Sequence, residues 1–235
     1  MIKVTYLDRS GFAVATPTAI LVFDYFKDPT NALTKILKSA PDHPVIFFST
    51  HHHEDHFNPE IFNLAQDHKR LFVLSDDIKS KHIPDKGMQV AWMAPGDAIE
   101  GLPGDISVKA YKATFAGVCY TATLPDDKKI FHGGDLNNAR CIGGENLRDM
   151  TKTRTEFETI VGRIASESPE LTIAMLSVSP ETEDNARFFL EKVKVDNFVP
   201  MHFEPYHNDD EKEYNPDPEC RFHCLHGPGQ TDKIS

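Results

Sequence analysis

No stretch of this chain approaches the length of an apolar membrane span, and its opening residues, MIKVTYLDRSGF, hold too short an apolar run for a secretory leader. Both absences predict a cytoplasmic protein with no membrane partner. Cysteine is scarce as well. Cys119, Cys141, Cys220 and Cys224 are irregularly spaced, unlike the dense framework of a disulfide-stapled secreted domain, so free thiols are expected. Positive charge is also in short supply: 25 Lys and Arg stand against 36 Asp and Glu, a net charge of −11. No basic run is present to neutralise the phosphates of a polymer, which points to a small-molecule substrate and away from a nucleic-acid partner. Linkers, low-complexity tracts and repeats are missing too, and nothing in the composition speaks to oligomeric state.

What remains is a chain of 235 residues, 40% hydrophobic, long enough to bury a full core as a single α/β domain over residues 1–235. Short runs rich in Val, Ile and Phe read as buried strands: Val45 to Phe48, Leu71 to Leu74, Ile106 to Tyr111, Leu171 to Val178 and Phe198 to Met201. Helical periodicity lies between them, in Asn31 to Ser39, Thr155 to Ser166 and Thr182 to Val193. The opening differs, because residues 2–7, 11–15 and 20–25 are strand candidates with no room for crossover helices, hence an antiparallel start. An antiparallel opening followed by alternating strands and helices packs best with sheets inside and helices outside.

The chemistry is concentrated in Ser49, Thr50, His51, His52, His53, Glu54, Asp55, His56, Phe57, Asn58, Pro59, directly after a buried strand. Asn58 and Pro59 form a cap and first-turn pair, which predicts a helix from Pro59 and places the histidines in a strand-to-helix loop. Imidazole nitrogens and carboxylate oxygens are the donors that zinc, iron or manganese take. Two more strand ends offer such donors: FHGGD ends in Asp135 and FVPMH in His202. Ligands of open α/β sheets bind beyond the carboxyl ends of strands, so the three ends can converge. A second candidate, Cys220, His223, Cys224 and His226, matches no closed zinc pattern and alternates like a strand.

The run from His51 to His56 resembles the HxHxDH signature of the metallo-β-lactamase superfamily, and Gly134, Asp135 and His202 follow in the order that family expects. The strand Ile20 to Asp24, the segment FHGGDLN (Phe131 to Asn137) and VPMHF (Val199 to Phe203) look like the branch that includes the phosphorylated-ascorbate lactonases. The resemblance implies an αββα sandwich with one or two divalent transition metals, zinc first and manganese or iron as alternatives. His51 and His53 would bind the first metal, Asp55, His56 and His202 the second, and Asp135 would bridge them. A metal-bound hydroxide, steered by Asp55, would then attack a small ester, lactone or phosphodiester. The chain departs from the pattern at Thr114, Phe115, Ala116 and Gly117, where relatives supply a third imidazole to the first metal, and at Arg9, where they often carry histidine. His132 is the candidate to substitute for the missing imidazole.

Two further classes compete. One is a non-catalytic member of the fold that binds metal or ligand without turnover, and the other is a nuclease, which would need a basic arm that is absent here. Redox branches fit less well, because the oxygen reductases carry glutamate where this chain has His53 and the persulfide dioxygenases need the first metal position complete. Specificity is expected from loops around Tyr25, Tyr120 and Tyr206.

Overall fold

The parallel strands of the chain need crossovers long enough for helices, and the helices in turn need an apolar sheet face to cover. The computed structural model, which describes residues 1–82, 84–138, 147–178, 183–202, 217, 219–225 and 227–234, satisfies both demands with two sheets. In the first, β1 (Ile2–Asp8), β2 (Gly11–Ala15) and β3 (Ile20–Phe23) form the antiparallel opening. Pairing then turns parallel through β4 (Val45–Ser49), β5 (Arg70–Ser75) and β6 (Val90–Met93). The second sheet begins with antiparallel β7 (Ala98–Leu102), β8 (Ile106–Lys112), β9 (Val118–Thr123) and β10 (Lys129–His132), followed by parallel β11 (Glu170–Ser177), β12 (Lys194–Met201) and β13 (Arg221–Phe222). The last strand, β14 (Thr231–Ile234), returns to the first sheet beside β1.

Helix α1 (Ala32–Ser39) carries the crossover between β3 and β4, and Asp28 starts it by accepting the backbone N–H groups of Ala32 and Leu33 at 2.8 and 2.9 Å. Helices α2 (Leu147–Glu167) and α3 (Glu183–Lys192) carry the crossovers to β11 and β12. Period-two alternation then sorts the strands' side chains. Phe23, Phe48 and Val73 of the first sheet meet Val118, Tyr120 and Ile130 of the second in a shared core. Their neighbours Val22, Phe47 and Leu74 turn outward to Leu33 of α1, while Phe131, Ala174 and Phe198 turn outward to Phe157, Val161 and Phe189 of α2 and α3. The order is helix, sheet, sheet, helices, the αββα sandwich that the resemblance implied.

Several expectations need correction. The helix expected from Pro59 is a single 3-10 turn over Pro59–Asn63, capped by Asn58 Oδ1 on Glu60 N at 2.9 Å. Ile61 and Phe62 are buried, but the polar run after Leu64 offers no apolar face to continue on. Helix α2 starts at Leu147, eight residues before the predicted Thr155, because its first half is too polar to show a period. Tyr120 is no loop residue. It lies fully buried on β9 and donates its hydroxyl to the Ser49 carbonyl at 3.2 Å. Tyr206, Cys141 and His226 lie outside the described residues. Among the described residues, Cys119, Cys220 and Cys224 form no disulfide, in line with the expectation. Among the described residues no helix is long and apolar enough to cross a membrane.

The two sheets are tied where β4 ends. Val118 N donates to the Thr50 carbonyl at 2.9 Å, and Gly117, at φ 63°, lies so close that a Cβ there would sit 2.0 Å from that same oxygen. Gly117→Ala should therefore destabilise the protein by at least about 3 kcal/mol, lowering the thermal midpoint by roughly 6–12 °C. A midpoint within about 2 °C of wild type would show that the segment shifts freely off Thr50.

Candidate metal centre

Strands β3, β4, β10 and β12 deliver Asp24, the His51–His56 loop, Asp135 and His202 to one edge of the sandwich. The loop after β4 is closed by His56 N and Phe57 N donating to the His53 carbonyl at 3.0 and 2.8 Å. That tight turn is why histidines adjacent in sequence face a common point.

Beneath them lies Asp24, fully buried and at φ 42° just past β3. Its Oδ1 accepts Thr50 N at 2.8 Å, and its Oδ2 accepts Thr50 Oγ1 at 2.7 Å and His56 Nδ1 at 2.6 Å. Burial works against a charged carboxylate here. The charge of His56 and the hydrogen bonds donated by His56 and Thr50 outweigh it and hold Asp24 below the usual aspartate range. These bonds set the tautomers above. With its Nδ1–H given to Asp24, His56 turns Nε2 toward Asp135 Oδ1 at 3.3 Å and Asp55 Oδ2 at 3.7 Å. The Thr50 proton is committed to Asp24, so Thr50 Oγ1 accepts from His51 Nδ1 at 3.2 Å. His51 Nε2 is then free to face Asp135 Oδ2 at 3.3 Å and His53 Nδ1 at 3.0 Å.

Two groups result whose ligand atoms all lie within 4.8 Å of one another: His51, His56 and Asp135, and Asp55, His56 and His202. Asp135 spans His51 and His56, one oxygen facing each ring. His56 belongs to both groups, whereas the sequence had it in the second alone. His53 joins neither three-membered group and stands beside His51. His202, at φ 51° after β12, buries an Nε2 that has no hydrogen-bond partner. A buried, unpartnered imidazole nitrogen facing this many lone pairs fits a divalent transition metal, which takes such donors at tetrahedral or higher coordination.

The substitute ligand is ruled out. His132 Nδ1 accepts Gly134 N–H at 3.2 Å and its Nε2 donates to the Ser10 carbonyl at 2.9 Å, so neither nitrogen is available. Its ring lies flat on Phe23, 5.2 Å between centroids, and burial lowers its pKa, keeping it neutral. In the segment where the resemblance led to the expectation of a third imidazole, Thr114 Oγ1 sits 3.1 Å from the Asp135 carbonyl and 2.5 Å from that of Asn137, and it accepts Asn137 N at 3.0 Å. Phe115 beside it is exposed. The second cysteine–histidine candidate is structural, since His223 is engaged by Asp232 Oδ2 at 2.7 Å and Asn197 Oδ1 at 2.9 Å. Sequence reasoning passed over Asp24, Thr50 and Ser10, whose Oγ lies 3.3 Å from the Asp55 carbonyl and 3.1 Å from His56 Nδ1. The available signal was a carboxylate ending the wholly apolar strand ILVF.

No family model matches the chain, and no curated protein matches it in sequence. Solved structures do match. Igni18, a metallo hydrolase from the archaeon Ignicoccus hospitalis, is 18% identical, covers 98% of this chain and 97% of its own, and superposes with a TM-score of 0.67. The metallo-β-lactamase fold protein YhfI from Bacillus subtilis is 12% identical over 99% of this chain and 100% of its own, TM-score 0.65. The short form of human tRNase Z is 10% identical over 100% of both chains, TM-score 0.52. The chain has the metallo-β-lactamase fold.

Without metal, burial disfavours the His56 cation, but Asp24 and Asp135 outweigh it and push its pKa up to about 10. Asp135 is held well below the carboxylate range: burial opposes its charge, and His51 and His56 more than compensate. The raised His56 pKa stabilises the metal-free fold fully below about pH 6.5, and that contribution is lost as the pH rises through about 10. The depressed Asp24 and Asp135 act in the opposite direction, stabilising above about pH 4 and failing in acid. Urea unfolding of chelator-treated protein should show stability falling by on the order of a few kcal/mol between about pH 7 and 10.5, with a smaller fall in Asp24→Asn. Parallel profiles for the two proteins would mean that Asp24 does not hold the His56 proton.

Proposed function

We propose that the chain is a metal-dependent hydrolase of the metallo-β-lactamase superfamily, with His51, His53, Asp55, His56, Asp135 and His202 holding one or two divalent transition metals, zinc first. The observation that carries this reading is the convergence of two ligand groups on a shared His56 whose far nitrogen is held by a buried carboxylate. When bound, the metal supplies Lewis acidity that lowers the pKa of water from about 16 toward 7 and stabilises developing negative charge. The protein's own residues do the rest. Asp24 and Thr50 engage the Nδ1 side of His56 and His51, so that each ring turns its Nε2 toward the centre, where Asp135 spans them. Asp55, 41% exposed at the rim, is the carboxylate placed to orient a water and take its proton.

The substrate we favour is a small ester or lactone, in keeping with the lactonase-like segments and the net charge of −11. A cytoplasmic location goes with the free thiols. A second reading, a nuclease, is favoured by the likeness to human tRNase Z, and the phosphodiester it would cut is open to the same chemistry. Turnover of lactones, thioesters and phosphodiesters by metal-loaded protein separates these readings, with tight salt-sensitive RNA binding favouring the nuclease and no hydrolysis of any class favouring a binder.

Asp135→Ala should remove more metal than His52→Ala, whose imidazole points away to Asp77, as read by metal analysis of the purified proteins. Asp55→Asn should lower kcat by about 10²–10⁴-fold; equal metal loss in the first pair, or unchanged kcat in the second, would overturn the assignment.

The first position is short of a ligand, and residue 115 lies between Thr114, bonded to the Asp135 loop, and Gly117, packed on Thr50 and His51. Phe115→His should therefore raise metal stoichiometry toward two in a competitive chelation titration. A wild type with two equally tight sites would show that the first position is already complete.

A further inference from the structure

One carboxylate outside the ligand groups is committed to the loop that holds them. The 3-10 helix Asp76–Ser80 follows β5, next to β4 in the first sheet, and places Asp77 against the histidine loop. Asp77 Oδ2 accepts both the backbone N–H of His52 at 3.1 Å and its Nδ1–H at 2.7 Å. We propose that Asp77 is a positioning residue that clamps the His51–His53 arm of the metal centre through His52.

The two arms are supported differently. The Asp55–His56 arm rests on Asp24, Thr50 and Ser10, which lie against His56 Nδ1 and the Asp55 carbonyl. On the other arm, Thr50 reaches His51 Nδ1, but among the described residues the His53 ring has no hydrogen-bond partner besides His51. The placement of His53 therefore depends on its backbone, and His52 is the residue immediately before it. With main chain and side chain of His52 both tied to one oxygen, neither translation nor rotation of that segment is free. Rings of His51, His53 and His52 follow one another edge to face, with centroids 4.5 and 4.9 Å apart, so the clamp is passed along by contact as well as through the backbone. Preorganising a ligand arm in this way has a measurable consequence, because outer-shell partners typically change metal affinity by 10–100-fold.

This inference rests on the reading of the site as a metal centre, and one experiment separates the two. Zinc affinities of wild type, Asp77→Ala, Asp77→Asn and His52→Ala are measured by competitive chelation, with thermal unfolding of each metal-free protein alongside. Asp77→Ala should weaken the most loosely held zinc by about 10–100-fold and leave the tightest within about threefold. His52→Ala, which keeps the backbone bond, should lose less, and Asp77→Asn, which keeps an acceptor oxygen, should be largely rescued. If Asp77→Ala does not fold, the ordering of Asp77→Asn and His52→Ala against wild type carries the comparison. Wild-type affinities in Asp77→Ala, or losses that track the unfolding midpoint across the set, would overturn the clamp. Absence of zinc binding in the wild type would instead overturn the metal centre.

Discussion

A carboxylate with no solvent exposure is among the most expensive things a protein can bury, and Asp24 is kept only because it accepts three short hydrogen bonds at once. Two come from Thr50 and one from His56, so the same charge that would otherwise destabilise the edge of β3 locks the end of β4 against it. The Thr50 carbonyl then receives Val118 N from the second sheet, and Gly117 and Gly134 leave the space that Thr50 occupies. One buried ion thereby joins both sheets and sets which nitrogen of His56 and of His51 faces outward. The local fold and the chemistry of the site have the same support.

The centre is uneven in its construction. His56 is shared by both ligand groups and is the most firmly held of the histidines, with Asp24 behind it and Ser10 beside it. His51 is buried and backed by Thr50, while His53 is exposed and leans on His51. Thr114 spends its hydroxyl on the Asp135–Asn137 turn and so helps to position Asp135. The gradient from His56 to His53 follows the number of hydrogen bonds behind each ring.

The candidate donors and the layering of sheets inside and helices outside could be read from the chain because both rest on short-range rules. A dense run of imidazoles and carboxylates after an apolar strand has few other uses, and period-two and period-3.6 patterns mark buried strands and helix faces wherever the apolar residues are many. The same rules fail where they have little to work on. Strand β14, with the mostly exposed sequence TDKI, and β7, which contains Gly101, bury too little to register as strands, and the polar first half of α2 has no stripe to detect. At Pro59 a sound capping signal opened only one turn, because capping starts a helix but an apolar face sustains it.

By itself, then, the sequence determined which residues could bind metal and at which strand ends they would stand, since residue type and position after a strand are local properties. Tertiary structure alone decided which of them meet and who stands behind them. That Asp24 lies under His56, that His132 Nε2 is spent on Ser10, that Tyr120 is core and that Asp77 reaches back to His52 all depend on contacts between residues 25 to 122 positions apart. No periodicity carries such information. It appears only when sheet register brings separate strand ends to one edge, where each hydrogen bond commits an atom and removes it from every other role.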